Sequence, residues 1–237
     1  MSPSLVVAIS LGFVLGLKHA LDADHLIAVS TIVSEQRNLW KSALVGGLWG
    51  LGHTASLMMV GVLVLVLRLS IPAKVALSFE FSVALMLILL GAHALSKFRR
   101  GEHLHLHAHQ EGGPLHVHFH SHLKAPDAAG SHHSVNLGKK PFWVGMVHGL
   151  AGSAALTLLV LTTLPSPLHG LIYMFVFGVG SMAGMLVMST AISLPFIFTV
   201  RRFDRFNHQI RLLAGTMSVL FGCFLAYHIA FVERLFR

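Results

Sequence analysis

The sequence predicts an all-α integral membrane protein. Six transmembrane helices form a 3+3 inverted repeat, with a His-rich cytoplasmic loop between the halves. Three observations predict this. Of 237 residues, 54% are hydrophobic and 11% charged, with a mean hydropathy of +0.74; a soluble domain carries about 25% charged residues. Six apolar runs are each long enough to cross about 30 Å of hydrocarbon. Short motifs in the first three runs return in the last three at a nearly constant offset.

The runs lie at about 4–33, 42–67, 76–97, 142–164, 169–198 and 209–232. A polar stretch divides them into a first half, 1–97, a loop, 98–140, and a second half, 141–237. The N-terminus has neither a basic leader nor an A-x-A cleavage site, so no cleaved signal peptide is expected. Six spans put the segments near 34–41, 98–140 and 199–208 on one side. That side holds Arg37, Lys41, Lys97, Arg99, Arg100, Lys124, Lys139, Lys140, Arg201, Arg202, Arg205 and Arg211, against Arg68, Lys74, Arg234 and Arg237 on the other. Basic residues favour the cytoplasmic side, so the loop is expected inside and both termini outside. The net charge of +8 is then membrane topology and no sign of a nucleic-acid partner.

The repeat rests on spacing. Gly16-x-x-His19-x-Leu21 returns as Gly145-x-x-His148-x-Leu150, Gly50-x-Gly52 with Ala55 as Gly178-x-Gly180 with Ala183, and Met86 with Gly91 as Met217 with Gly222. Three helices per copy is an odd number, so the second copy enters the membrane the other way up. Inverted repeats of this kind are a transporter architecture, with substrate near the midplane. Two helical hairpins of similar composition are the plainer alternative.

The first run carries Lys18, His19, Asp22, Asp24 and His25. A charged side chain at the bilayer centre costs about 2.5–3.5 kcal/mol. These groups must therefore face protein, water or an ion. At about 100° per residue, His19, Asp22 and His25 share one face of an ideal helix and Asp24 points elsewhere. Gathering His19, Asp24 and His25 requires the backbone to leave regular helix. A straight helix of thirty residues would reach about 45 Å, more than the membrane requires, so a tilted or broken helix is expected. Imidazole with carboxylate suits nickel, cobalt, zinc, copper(II) or iron(II). A His–Asp network joining helices is the structural alternative.

The second run carries Gly50-Leu51-Gly52-His53-Thr54. Its glycines allow close helix approach, which lets His53 complete a metal shell or serve as a helix contact. His148 occupies the repeat position of His19, but the acids are replaced by Ala151, Gly152, Ser153 and Ala154. It reads as a pathway residue or a packing residue, with Ser153, Thr157 and Ser181 as further oxygen donors. Met182, Met185 and Met188 recur every third residue; this spacing fits packing better than copper(I). Glu80 and His93 lie toward opposite ends of the third run and reach the interface.

The loop reads HLHLHAHQEGGPLHVHFHSH. His103, His105, His107 and His109 alternate, His116, His118, His120 and His122 repeat the pattern, and His132 and His133 follow. Such tracts bind borderline metals through neutral imidazoles. Gly112-Gly113-Pro114 offers a turn between the strings. A solvated linker is the alternative.

One cysteine, Cys223, excludes an internal disulfide and a multi-cysteine zinc site. Neither G-x-x-x-x-G-K-[ST] nor H-E-x-x-H occurs. Gly152-Ser153 near His148 has no companion that would make a hydrolase nucleophile. No enzyme activity is expected.

His19-x4-Asp24-His25, within LGLKHALDADH, and Leu51-Gly52-His53-Thr54 resemble the two motifs of the nickel/cobalt transporter family. The second half departs from the better-studied permeases: VHGLAGSAAL stands where an acidic, Thr-rich motif is expected. The chain is thereby similar to the shorter branch of urease accessory transport proteins. The resemblance implies metal recognition by His19, Asp24, His25 and His53, with Asp22 in support. It implies Ni2+ or Co2+ as transported substrate, with no permanently bound cofactor, in a multi-pass protein of the cell membrane. The partners are the divalent ion, the lipid bilayer and a cytoplasmic nickel or cobalt acceptor protein. Uptake driven by membrane potential is the expected direction. Efflux by the same fold, and a membrane-anchored metal sensor or metallochaperone, stay open.

Overall fold

A computed structural model gives the architecture and describes residues 3–34, 36, 38–67, 69, 71–99, 103–107, 116–120, 139–163, 166–200 and 204–236. The first apolar run forms two helices, α1 (Pro3–His19) and α2 (Ala23–Val33). It is followed by α3 (Leu39–Gly61) with a π-helical continuation Val62–Val66, and by α4 (Ala73–Arg99). The second half holds α5 (Lys140–Thr163), α6 (Pro167–Val200) and α7 (Asp204–Tyr227), the last continued by the π turn His228–Val232.

Four stretches, Leu39–Val66, Ala73–Lys97, Pro167–Thr199 and Phe206–Val232, are long and apolar enough to cross a membrane. Burial is inverted relative to a water-soluble protein. Leu89 and Phe198 are each 70% exposed, while Ser42, Ser56, Ser181, Ser189, Ser193 and Ser218 are all fully buried. An outer face this apolar is compatible with lipid, and not with a monomer in water. The buried hydroxyls are mostly satisfied within the helices: Ser56 Oγ donates to the His53 carbonyl at 2.9 Å, and Ser189 Oγ to that of Leu186 at 3.0 Å. Ser218 Oγ reaches across instead, donating to the Leu87 carbonyl at 2.8 Å.

The helical expectation holds for the apolar runs, and the connecting loop adds one hairpin. β1 (His103–His107) and β2 (His116–His120) pair antiparallel, with His103 opposite His120, His105 opposite His118 and His107 opposite His116. Alternation of histidine with Leu, Val and Phe has the period of a strand, and no helical periodicity competes with it. The turn at 112–114, and the positions His109, His122, His132 and His133, lie outside the described residues.

α3 packs along α6 and α5, α1 along α6, and α4 along α7. Glycines set the closest approaches. A Cβ at Gly16 would meet the Phe177 carbonyl, and one at Gly145 the Trp49 carbonyl; Gly52 sits against the Phe142 carbonyl, and Gly180 against that of Phe13. Each contact has a counterpart displaced by 128 or 129 residues. Small residues at such crossings let membrane helices pack by van der Waals contact, since lipid supplies no hydrophobic drive between them. The core seated there includes Ala28, Val29, Val33, Val45, Trp49, Val83, Leu87 and Met185. Met182 packs beside Gly50.

Candidate metal centre

The centre is built at the break in the first run. The last turn of α1 tightens: the Leu21 amide donates to the Lys18 carbonyl at 2.9 Å and the Asp22 amide to the His19 carbonyl at 3.1 Å. Asp22 is extended, at φ −62° and ψ 148°, and α2 restarts at Ala23. Asp24 thus stands in the first turn of α2, where unpaired amides and the helix dipole favour an anion. Its Oδ1 accepts from the His25 amide at 3.0 Å.

This break separates the two acids. A carboxylate only accepts, so the ring nitrogen facing it carries the proton. His19 Nδ1 donates to Asp22 Oδ2 at 2.7 Å, on the exposed side of the break. Asp24 Oδ2 accepts from His148 Nε2 at 2.8 Å, which links α2 to α5 across 124 residues of sequence. At His19, holding Nδ1 by a carboxylate fixes the ring and leaves Nε2 for a metal.

His25, His53 and His148 are buried. The His25 ring centroid lies 4.7 Å from that of His19, 5.4 Å from that of His53 and 4.0 Å from that of His148. His19 and His53 are 5.2 Å apart, and His53 and His148 6.2 Å. Both ring nitrogens of His25, both of His53, and Nδ1 of His148 are buried without a hydrogen-bond partner among the described residues. An unmade bond on a buried polar group costs about 1–3 kcal/mol. Five such atoms in one place are the arrangement expected of a ligand shell. The groups fall into two triads, His19 with His25 and His53, and Asp24 with His25 and His148. In each triad the ligand atoms lie within 4.8 Å of one another.

The structure therefore brings together His19, Asp24, His25, His53 and His148, and sets Asp22 behind His19. Ser181 is fully buried with its Oγ unpartnered, and α6 brings it beside Gly16, one turn before His19. The side chains of Ser153 and Thr157, and of the loop histidines His103, His105, His107, His116, His118 and His120, lie outside the described residues. Glu80 is half-buried and His93 exposed on α4. One residue escaped the sequence reading. Trp49 is fully buried 6.0 Å from the His25 ring and 5.7 Å from that of His148, and its indole N–H has no partner among the described residues. Its signal was available: it stands one turn before His53 on the same helix.

Comparison with known proteins found no matching family model and no matching solved structure. The chain is 35% identical to the urease accessory protein UreH of Bacillus sp. (strain TB-90) over 233 residues, which is 98% of this chain and 96% of that protein. It is 35% identical over 63 residues to the high-affinity nickel transport protein of Cupriavidus necator, which is 26% of this chain and 18% of that one.

Proposed function

The chain belongs to the family of the urease accessory protein UreH, within the shorter branch of the nickel/cobalt transporters, and from that premise we propose that it carries Ni2+ or Co2+ into the cell. The observation that carries the reading is the cluster of four imidazoles and Asp24 at a helix break, with five buried ring nitrogens that have no hydrogen-bond partner among the described residues. Imidazole and carboxylate suit both metals.

In this reading α1 with α2 makes the first crossing, and α3, α4, α5, α6 and α7 make the other five. Residues 1–97 and 141–237 form an inverted repeat. The reciprocal glycine contacts support it, and they extend to the third helix of each half. Gly91 meets Gly215 and Val219, as Gly222 meets Ala84 and Ile88. The loop faces the cytoplasm and both termini lie outside, which agrees with the distribution of Lys and Arg. The ion enters from outside, sheds water, and is held by His19, Asp24, His25, His53 and His148. Movement of one half against the other releases it toward the loop histidines, which pass it to a cytoplasmic acceptor.

No ATP is needed. A potential of about 100 mV, negative inside, is worth about 2.3 kcal/mol per charge, or about 4.6 kcal/mol for a dication. That corresponds to roughly 2000-fold accumulation at equilibrium. Export would need a coupled ion.

Radioactive nickel uptake into oriented proteoliposomes tests the proposal. Wild-type chain is expected to accumulate nickel, and His19→Ala to fall to the level of empty vesicles. Equal uptake by His19→Ala would refute the site. A wild type no better than empty vesicles would favour a membrane-anchored sensor or metallochaperone, and nickel driven only outward would mean efflux.

A further inference from the structure

The cluster is not one evenly spaced cage. His25 lies at its centre, with His19 and His53 toward one triad and His148 with Asp24 in the other. Metal–imidazole bonds are about 2.0–2.1 Å, so ligand atoms around one ion lie within about 4.2 Å of each other. Among the described residues the ligand atoms close up only within each triad, and His25 alone belongs to both, which fits two ion positions better than one. The triads also differ in origin. His19, His25 and His53 all come from residues 1–97, whereas His148 comes from α5 in the second half.

We propose that the cluster holds one ion in two alternative positions that share His25: a neutral position within the first half, formed by His19, His25 and His53, and a charged position that bridges the halves, formed by Asp24, His25 and His148. This rests on the transport reading and gives it a step. A neutral imidazole has a single bare nitrogen, so His25 ligates in one position at a time. The two positions are mutually exclusive, and the ion passes between them by exchanging His19 and His53 for Asp24 and His148 while His25 stays bound. The first position asks nothing of the second half. The second ties α2 to α5: the ion takes the place of the proton between His148 Nε2 and Asp24 Oδ2, and His148 carries its proton on Nδ1 instead. Occupying it therefore couples the ion to the relative placement of the halves.

The test uses the full-length chain in detergent, titrated with Co2+ alone and followed by its visible d–d absorption. His25→Ala removes both positions and keeps the loop, so wild type minus His25→Ala isolates the cluster. About one Co2+ per chain is expected in that difference. His53→Ala and His148→Ala are each expected to retain a cluster signal with band positions different from wild type and from each other, and the double variant to lose it. In proteoliposomes, nickel uptake by each single variant should fall at least tenfold. His53→Phe and His148→Phe, which refill the volume without a ligand atom, replace any alanine variant that does not elute as wild type does. The proposal is overturned if either single variant loses the whole cluster signal, as one joint site would, or if the difference contains two Co2+. It is also overturned if His148→Ala transports as wild type does. Wild-type vesicles that carry no nickel would sink the transport reading itself, and the Co2+ spectra would still report whether the two positions exist.

Discussion

Asp22 and Asp24 stand two residues apart with different duties. Asp22 is exposed, and its side chain meets the cluster through the 2.7 Å bond from His19 Nδ1. Carboxylates behind metal-bound histidines are worth about 10–100-fold in metal affinity or activity. Asp22→Ala is therefore expected to raise the nickel concentration for half-maximal uptake by about tenfold. Asp22→Asn, which still accepts from the ring, should do so by less. Asp24→Asn removes the carboxylate charge facing the ion and should abolish uptake. The measurement is initial uptake rate against nickel concentration, and equal effects of Asp22→Asn and Asp24→Asn would contradict the division. The residue types at this site were legible in the sequence, because acids and imidazoles inside an apolar run are costly. Their pairing was not. A helical wheel put Asp22 with His19 and His25 and turned Asp24 away. Only the break at 20–22 brings Asp24 round to His148, and no Pro or Gly marks that break. His148 was legible through the Gly-x-x-His-x-Leu motif it shares with His19, but its bond to Asp24 depends on how the two halves meet.

Helices were easier to read than side-chain partners. The runs at 42–67, 76–97, 142–164, 169–198 and 209–232 became α3 through α7, with ends shifted by a few residues. Length of apolar sequence alone sets a helix in lipid, where every backbone group must be bonded within the segment. The hairpin in the loop shows the other period at work: it follows from strict alternation, which a helix cannot use. If the histidine hairpin only collects or passes on the ion, deleting 103–133 should leave residual nickel flux through vesicles, whereas a chaperone would lose its function altogether. Spacing between elements is set by glycine. Gly52→Val would push a branched side chain against the Phe142 carbonyl and separate α3 from α5. Overpacking of this kind costs about 1–3 kcal/mol, so a lower thermal midpoint in detergent is expected, read by a tryptophan or light-scattering melt. An unchanged midpoint would mean that this crossing is loose.

At the scale of the whole molecule, the pairing of contacts between halves matters more than any one of them. Gly16 against Phe177 is matched by Gly145 against Trp49, and the same exchange carries Gly52 with Phe142 onto Gly180 with Phe13. The chemistry does not follow these paired contacts, for Ser181 stands 128 residues after His53, the offset between Gly52 and Gly180. A single ligand-rich half suits one dication moved down its electrical gradient. Nickel accumulation in vesicles should therefore rise steeply with an imposed inside-negative potassium diffusion potential and collapse when that potential is abolished. Accumulation indifferent to potential would mean a coupled ion.

The exposed Leu89 and Phe198 have a practical sequel. On an ordinary enzyme, trading a protruding greasy residue for lysine is a routine way to keep the protein from clumping. Here the same edit would strand an ammonium group in oil, so efforts to make this molecule better behaved in a test tube should start at its ends and connecting segments and leave its flanks alone.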